Sequence, residues 1–514
     1  MRSNYKRIAW IIAIVIFGLI VRWGYQNIVE LIFTKMTPKQ YIYSSANFIT
    51  TGLVVLIWIG IVSKSEYTPS KLPWLIFLAF EPFIGLMLFL TFGRSFRNTR
   101  RYSKHPLIKD GLYLTNEVTT DFEDDKLSII DTEITDIYKV AYNMTKHSVY
   151  QNNSKVEVLN NGKLKFNLLE EDLLNAKSFI FMQYYIIKTD KTGRRIMQIL
   201  SEKAKEGLEV ILMYDPIGSV FLDNKVIKGL KKSGVKVIVV DKVYFGFFNS
   251  KINYRNHRKM TIIDSNIAYT GGMNLGDEYQ NINSKYGVWR DTHLRINGEV
   301  INSLTALFFR DYYYATSKFV DDKKYYQARP VIDKGLVQVI PSGPEFNNPP
   351  IRNVYVKMIN NSKKSIKIMT PYLALDNEII TSLIIASNSG VDVKIIIPGI
   401  PDKKSVYQVT ESFVKELLDA GVRIYKYTKG FCHAKVFIVD DNIASCGTYN
   451  LDNRSARINS ELTMLMHNNA VDDLVKDFEN DINESLEIDK KEWGKRGMLD
   501  KIIDGVFNLF SPLV

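Results

Sequence analysis

Two stretches of the chain carry residue types that could do chemistry, and they share one spacing. His257-Arg-Lys259, four residues, Asp264, six residues and Gly271-Gly272-Met273-Asn274 recur as His433-Ala-Lys435, Asp440 and Gly447-Thr448-Tyr449-Asn450. The chain has only six His, so two such matches in register mark a repeat. On an extended segment, residues two apart share a face. Each copy therefore puts an imidazole, able to serve as nucleophile or acid, in one pocket with an ammonium. The small residues at 271–272 and 447–448 let backbone approach a ligand closely, while Asn274 and Asn450 can donate amide hydrogen bonds to an oxyanion. One copy is half an anion site. Two copies facing across a pseudo-two-fold place two His, two Lys and two Asn around a single phosphate. That set suits in-line displacement through a covalent phosphohistidine, with a nucleophile on one side and an acid for the leaving oxygen on the other.

Other uses of these residues fit less well. A zinc site would want further His, Cys or carboxylate ligands at short spacing, and His-x-Lys puts an ammonium where a second ligand belongs, so no metal and no cofactor is expected. Cys432 adjoins His433, but strand neighbours point to opposite faces, which makes it a core cysteine rather than a thiol nucleophile. Two cysteines in 514 residues form no disulfide framework and fit a reducing, cytosol-facing location.

The elements that must position the motifs repeat as well. An apolar run at 179–187 is followed by a helix-like stretch at 193–207 and strands at 210–215 and 235–240. The same order returns as 366–369, 379–389, 391–397, 412–420 and 422–427. Glu206-Gly-Leu-Glu-Val-Ile-Leu-Met213 and Ser389-Gly-Val-Asp-Val-Lys-Ile-Ile396 mark corresponding positions. Alternating strands and helices predict an α/β fold: two tandem domains, 156–335 and 336–485, each a mixed sheet flanked by helices. Residues 105–155 are polar, with Asp121-Phe-Glu-Asp-Asp125 and Gln151-Asn-Asn-Ser154, and read as a linker with some helix. The tail, 486–514, places Leu499, Ile502, Ile503, Val506 and Phe510 on one helical face. Packing against the catalytic body is its expected use; lying on a bilayer is the sharper alternative.

Residues 1–104 hold 13 Lys or Arg against three Glu, ten of the chain's twelve net positive charges. The rest is close to neutral, which argues against a general nucleic-acid binder. The same segment holds the hydrophobic runs 8–21, 46–62 and 72–92, against about 20 apolar residues needed to cross a bilayer. The second and third are the expected spanning helices of an N-terminal helical membrane anchor, with a kinked or re-entrant path competing at Glu81-Pro82; the first is a short anchor or interfacial helix. Arg94, Arg97, Arg100, Arg101 and Lys104 follow the third run and should hold that end, and with it both catalytic domains, on the cytoplasmic side of a multi-pass cell-membrane protein.

The twin motifs resemble those of the phospholipase D superfamily, and within it the chain resembles the bacterial cardiolipin synthases. The likeness extends over Leu90-Thr-Phe-Gly-Arg94, Gln183-Tyr-Tyr185, Asn256-His-Arg-Lys259, Gly276-Asp-Glu-Tyr279, Trp289-Arg-Asp-Thr-His293, Ser342-Gly-Pro344, Thr370-Pro-Tyr372, Asp452-Asn-Arg-Ser455 and Leu509-Phe-Ser-Pro-Leu513. The resemblance implies two phospholipase D-like domains and a metal-independent exchange: one phosphatidylglycerol forms a phosphatidyl-histidine, glycerol leaves, and a second phosphatidylglycerol attacks to give cardiolipin. It assigns His257, Lys259, Asp264, His433, Lys435 and Asp440 to the catalytic set, with the two aspartates mainly structural, and Asn274 and Asn450 to the phosphate. Which histidine is the nucleophile stays open. A carboxylate further along is implied to orient each histidine through its second ring nitrogen, and Asp291 and Glu461 are the candidates by position after each motif. Expected partners are phosphatidylglycerol and the bacterial membrane, with no nucleic acid; a homo-oligomer is compatible with the sequence. Departures from the pattern are Glu81, Cys432 and the proline in Asp215-Pro-Ile-Gly-Ser219. Rival functions are a lipid hydrolase using the same residues, a membrane-tethered nuclease and a non-enzymatic membrane scaffold.

Overall fold

The computed structural model describes residues 132–513 apart from 243–252, 283–284, 321 and 347, together with parts of 52–89. The chain divides into two compact units, residues 1–94 with 245–250, and the remainder. Within the first, helix α1 spans Leu72–Phe80. Its Leu78 is buried with Ile61, and Ile57, Trp74, Leu75 and Phe89 pack against them. Among the described residues no helix is long and apolar enough to cross a membrane. Run 8–21, Glu81 and the basic cluster at 94–104 lie outside the described residues, as do parts of 46–62 and 72–92.

The second unit opens with α2 (Thr132–Thr145), β1 (Val149–Gln151) and β2 (Ser154–Leu159). Here the linker reading needs correction. Ile134, Ile137, Tyr138 and Ala141 of α2 are buried, and the Tyr138 hydroxyl donates to Leu336 O at 3.0 Å, so residues 132–155 belong to the folded body. The polar composition masks an apolar stripe of helical period.

The first domain continues with α3 (Gly162–Leu174), β3 (Phe179–Tyr184), α4 (Lys191–Lys205), β4 (Glu209–Tyr214), α5 (Asn224–Lys232), β5 (Lys236–Val239), β6 (Met260–Ile263), β7 (Ile267–Gly271), β8 (Val288–Arg290), β9 (His293–Gly298) and α6 (Ile301–Thr316). The second has β10 (Gly335–Ser342), α7 (Pro350–Asn361), β11 (Ser365–Met369), β12 (Leu373–Ala374), α8 (Asn377–Asn388), β13 (Asp392–Pro398), α9 (Lys404–Asp419), β14 (Arg423–Tyr427), β15 (Gly430–Cys432), β16 (Val436–Val439), β17 (Ile443–Gly447), β18 (Leu451–Asp452), α10 (Asn453–Arg457), β19 (Glu461–Asn468), α11 (Ala470–Asn483) and β20 (Ser485–Glu487). Two helices follow, α12 (Lys490–Gly494) and α13 (Met498–Phe510).

The sheets carry one topology twice. The first runs β2-β9-β7-β6-β3-β4-β5 and the second β1-β10-β19-β17-β16-β11-β13-β14-β20, so the second is the same seven-strand plan with β1 and β20 added at its edges. In each, three strands are parallel (β3, β4, β5; β11, β13, β14) and the motif hairpin (β6–β7; β16–β17) joins antiparallel. Both faces of the parallel strands are covered, which explains their unbroken apolar runs. Phe179 and Phe181 of β3 face one core, Ile180 and Met182 another. The core holding Phe181 takes Met260, Leu294 and Ile296 from the first sheet and Val436, Met464 and Met466 from the second, with Leu304, Phe308 and Leu474 of α6 and α11. The two domains thus bury one shared interior. Parallel pairing of β8 with β15 and a bridge from Asn256 to Ser460 tie their strand entries together.

Candidate active site

Each motif histidine sits on the extended approach to its hairpin, a few residues short of the ladder. His257 and Lys259 precede β6, and His433 and Lys435 span the gap from β15 to β16. The approach to β6 is held from beneath by buried polar groups. Gln183 Nε2 donates to Asn256 Oδ1 at 2.8 Å, and both amides donate to Asp311 Oδ2 at 2.7 Å. Arg258, 1% exposed, donates to Asp311 Oδ1 at 2.5 Å and to Ser342 O and Glu461 O at 2.9 Å. A buried guanidinium is tolerated because each of its three nitrogens finds an acceptor and Asp311 balances its charge. The proline after Asp215 is accommodated in a turn, where Asp215 Oδ1 accepts from the amides of Ile217 and Gly218 and from Arg255.

The carboxylate partners are exchanged between domains. His257 Nδ1 lies 3.0 Å from Glu461 Oε2, and His433 Nδ1 lies 2.6 Å from Asp291 Oδ2. The backbone follows the same rule: His257 N–H donates to Ser460 O at 2.9 Å and His433 N–H to Arg290 O at 2.6 Å. Each histidine is therefore fixed, ring and main chain, by two consecutive residues of the other domain, Ser460-Glu461 at the start of β19 and Arg290-Asp291 at the end of β8. With Nδ1 engaged, Nε2 is the nitrogen left to react.

Charge in the site is unusual for buried groups. Lys259 and Lys435 are 0% and 3% exposed, and each ammonium donates to the carbonyl of the histidine two residues before it, at 2.6 Å for Lys259. Burial pulls the Lys259 ammonium down to about 7, against the pull of Glu461, and Lys435 lowers it further; burial lowers Lys435 likewise. Burial also lowers His257 to about 4, with Glu461 opposing and both motif lysines adding to the fall. His433 falls to about 4 through burial and Lys435, with Asp291 opposing and Lys259 contributing. Each imidazole feels the ammonium of both motifs, so the two stretches converge on one site. For Asp291 and Glu461 burial alone would raise the carboxyl, but the facing His and Lys outweigh it and hold both below the usual carboxylate range.

The motif aspartates lie elsewhere. Asp264 accepts the backbone amides of Lys177, Ser178 and Phe179 at 2.6 to 2.8 Å, and Asp440 those of Lys363, Lys364 and Ser365 at 2.7 to 2.9 Å. They clamp the turns entering β3 and β11, a structural position. Both occupy left-handed backbone at φ 53°, which Asp tolerates. The asparagines differ from each other. Asn274 is already engaged, accepting from Ile186 N–H at 3.0 Å and donating to the Tyr279 hydroxyl at 2.7 Å. Asn450 is 5% exposed and its Oδ1 has no hydrogen-bond partner.

Among the small residues after the hairpins, Gly271 and Gly447 make room for the neighbouring strand and Gly272 for a carboxylate. A Cβ at Gly272 would stand 2.0 Å from Asp291 Oδ1, so Asp291 can reach His433 only because residue 272 has no side chain. In the second copy Thr448 takes that position, and its hydroxyl donates to Glu461 Oε2 at 2.5 Å. The motif spacing did not reveal Thr448 as a contact of the carboxylate on His257, nor the aromatic walls. Tyr185 stands 5.0 Å from the His257 ring, while Trp289, Phe431 and Tyr279 ring His433 at 5.3, 5.6 and 6.3 Å. All but Phe431 fall inside segments that carry the family likeness, which was the available signal. Cys432 and Cys446 are wholly buried, and burial pushes the Cys432 thiol up to about 12.

Comparison with known proteins agrees with this geometry. Residues 169–310 and 355–484 match the family described as "Cardiolipin synthase, PLD-like domain". Cardiolipin synthase 2 of Bacillus anthracis is 38% identical over 89% of this chain and 90% of its own. The cardiolipin synthase of Halalkalibacterium halodurans is 34% identical over 98% and 99%. Among solved structures, the phosphatidylserine synthase of Haemophilus influenzae superposes with a TM-score of 0.55 over 74% of this chain and all of its own, at 15% identity, a likeness of fold. The chain belongs to the cardiolipin synthase family of phospholipase D-like phosphatidyltransferases.

Proposed function

We propose that this protein makes cardiolipin by transferring the phosphatidyl group of one phosphatidylglycerol to a hydroxyl of another. The observation that carries the reading is the convergence of two histidine–carboxylate pairs on two buried ammonium groups, each bonded to a carbonyl. Among the described residues neither ammonium has a carboxylate at ion-pair distance, and a phosphodiester supplies an anion. Nε2 of one histidine attacks phosphorus, and the P–O bond to glycerol breaks. The second histidine, charged, gives its proton to the leaving oxygen. It then takes the proton of the incoming lipid hydroxyl, whose oxygen attacks the phosphohistidine and frees the first imidazole.

The depressed histidines fit this cycle. An imidazolium is costly in this buried, cation-rich site, and a bound phosphate diester brings the negative charge that favours it on the acid histidine. Lys259, Lys435 and Asn450 are the groups we assign to the phosphate oxygens, with Asn274 acting through Tyr279. We place the reaction at the cytoplasmic face of the cell membrane, a reading supported by the N-terminal hydrophobic runs and the basic cluster that follows them.

Incubating the purified protein with labelled phosphatidylglycerol should yield cardiolipin and glycerol in equal amounts. His257→Ala and His433→Ala should each lower the rate at least about a thousandfold, since removing either half of one site removes the whole. Phosphatidic acid without cardiolipin would make the protein a hydrolase instead. Retention of half the activity in either variant would overturn the single shared site, and unchanged product formation would leave only a scaffold.

A further inference from the structure

Helix α13 is fixed to the body along one side and bare along the other. On the inner side, Asp504 accepts from Arg496 at 3.0 and 3.1 Å and from Gln408 of α9 at 3.3 Å. Phe507 packs onto the second domain's core. Just past the helix, Ser511 is 5% exposed and its carbonyl accepts from Asn453 Nδ2 of α10 at 3.4 Å. The opposite side shows Met498, Leu499, Ile502, Ile503 and Val506 at 79, 75, 51, 41 and 48% exposure. Those positions fall on one stripe of helical period. A contiguous bulky aliphatic stripe on an already docked helix is not a face left over from poor packing, and soluble surfaces seldom carry one without a use.

We propose that this stripe lies in the surface of an anionic bilayer and seats the catalytic body on it, an inference that rests on the substrate being a bilayer lipid. Three features choose the bilayer over a protein partner. The exposed side chains are aliphatic, which suits acyl chains. Exposed Lys491 comes shortly before the stripe in the sequence and exposed Lys501 falls within its span, both open to negative headgroups, while Lys495 is paired with Glu492. Through Ser511 the helix is tied to α10, which starts three residues after Asn450, so the lipid-facing element is fixed to the segment carrying the second motif.

The test uses the full-length chain with a single environment-sensitive fluorophore on a cysteine introduced by Leu499→Cys or Ile502→Cys, and by Lys501→Cys as the comparison. The native thiols are buried. In proteoliposomes of phosphatidylglycerol and phosphatidylcholine, nitroxide-bearing lipid should quench the probes at 499 and 502 at least about threefold more than that at 501. Probes at 499 and 502 that behave as if in water would overturn the proposal. So would probes already shielded in detergent at high dilution, which would mean another part of the chain covers the stripe, or shielding that grows with protein concentration, which would mean a second copy does. As a second arm, Leu499→Glu combined with Ile503→Glu should lower turnover of vesicle phosphatidylglycerol about tenfold or more. Turnover of a short-chain, monomeric phosphatidylglycerol should stay within about twofold; equal loss on both substrates would count against the proposal. Should the unmodified protein turn over no phosphatidylglycerol at all, the functional reading fails, and the quenching arm still decides where the helix lies.

Discussion

Replacing Asp291 by Asn tests the exchange of carboxylates between domains at its sharpest point. The substitution keeps the side-chain shape and the Oδ1 that accepts the Thr292 amide at 2.8 Å. It removes the negative charge 2.6 Å from His433 Nδ1, in a pocket where Asp291 is 1% and His433 7% exposed. Breaking a buried, hydrogen-bonded charge pair from one side costs about 3 to 5 kcal/mol. Spent wholly on the charged form of His433, that corresponds to about two to nearly four orders of magnitude in kcat. The assay is release of labelled glycerol from phosphatidylglycerol in mixed micelles, alongside thermal melting to show that the fold persists. A nitrogen-15 spectrum of the histidine rings supplies the second readout: the resonances of His433, in the second domain, should move, while those of His257 stay put. Activity within about fivefold of the unmodified protein would refute the energetic argument. Movement of the His257 resonances in place of those of His433 would refute the crossed pairing.

Three further outcomes follow from the same geometry. Asp264→Ala should lower stability by about 1 to 3 kcal/mol, since three backbone amides lose a charged acceptor, yet leave activity per folded molecule within about threefold; a loss comparable to His257→Ala would return Asp264 to the chemistry. Gly272→Ala should cut kcat by about a hundredfold or more with modest loss of stability, because its Cβ would stand 2.0 Å from Asp291 Oδ1 and push that carboxylate off His433; near-normal turnover would show that Asp291 can approach from elsewhere. In the ligand-free protein His257 and His433 should titrate near 4. The unfolded chain takes up these protons near 6.5, so their contribution to stability is complete above about 6.5 and is lost as pH falls through 4. Bound orthovanadate should raise one of the two, by the charge it brings, and ring titration near 6.5 without ligand would contradict this.

Much of the site could be read from the chain because it is written in local spacing. His-x-Lys fixes side chains that share a face, and the doubled motif fixes that there are two halves. Asp291 and Glu461 stand out as candidates by position after each motif. What spacing could not carry was pairing across the repeat: that His257 belongs with Glu461 depends on how Asn256 and Ser460 bridge, a contact between segments about 200 residues apart. Thr448 was hidden for a more local reason, since its partner Glu461 is brought to it by the pairing of β17 with β19 within the second sheet. The error at residues 132–155 has another origin. Composition averaged over a polar segment concealed Ile134, Ile137, Tyr138 and Ala141, whose period places them on one buried face. For the tail, period gave the amphipathic helix, but only the fold showed that Asp504 and Phe507 dock it while the aliphatic stripe stays outside.

The crossed carboxylates also explain why the two halves have kept different fittings at equivalent positions. A histidine needs a carboxylate on Nδ1 and open space at Nε2, and in each half the carboxylate must reach over the hairpin of its own domain to the neighbour's histidine. Asp291 is the shorter acid and passes over Gly272, where no side chain stands. Glu461 is longer by one methylene, and Thr448 occupies the place a glycine holds in the first half while donating its hydroxyl to the carboxylate. Each pairing of acid with small residue is a different solution to one distance. The His257 side acquires an added hydrogen bond on its carboxylate, whereas the His433 side keeps a closer contact, 2.6 against 3.0 Å, within an aromatic ring of Trp289, Phe431 and Tyr279. Two histidines that the sequence presents as equivalent thus sit in environments that are not, which is what a cycle needs when one must stay neutral to attack phosphorus and the other must hold a proton for the departing glycerol.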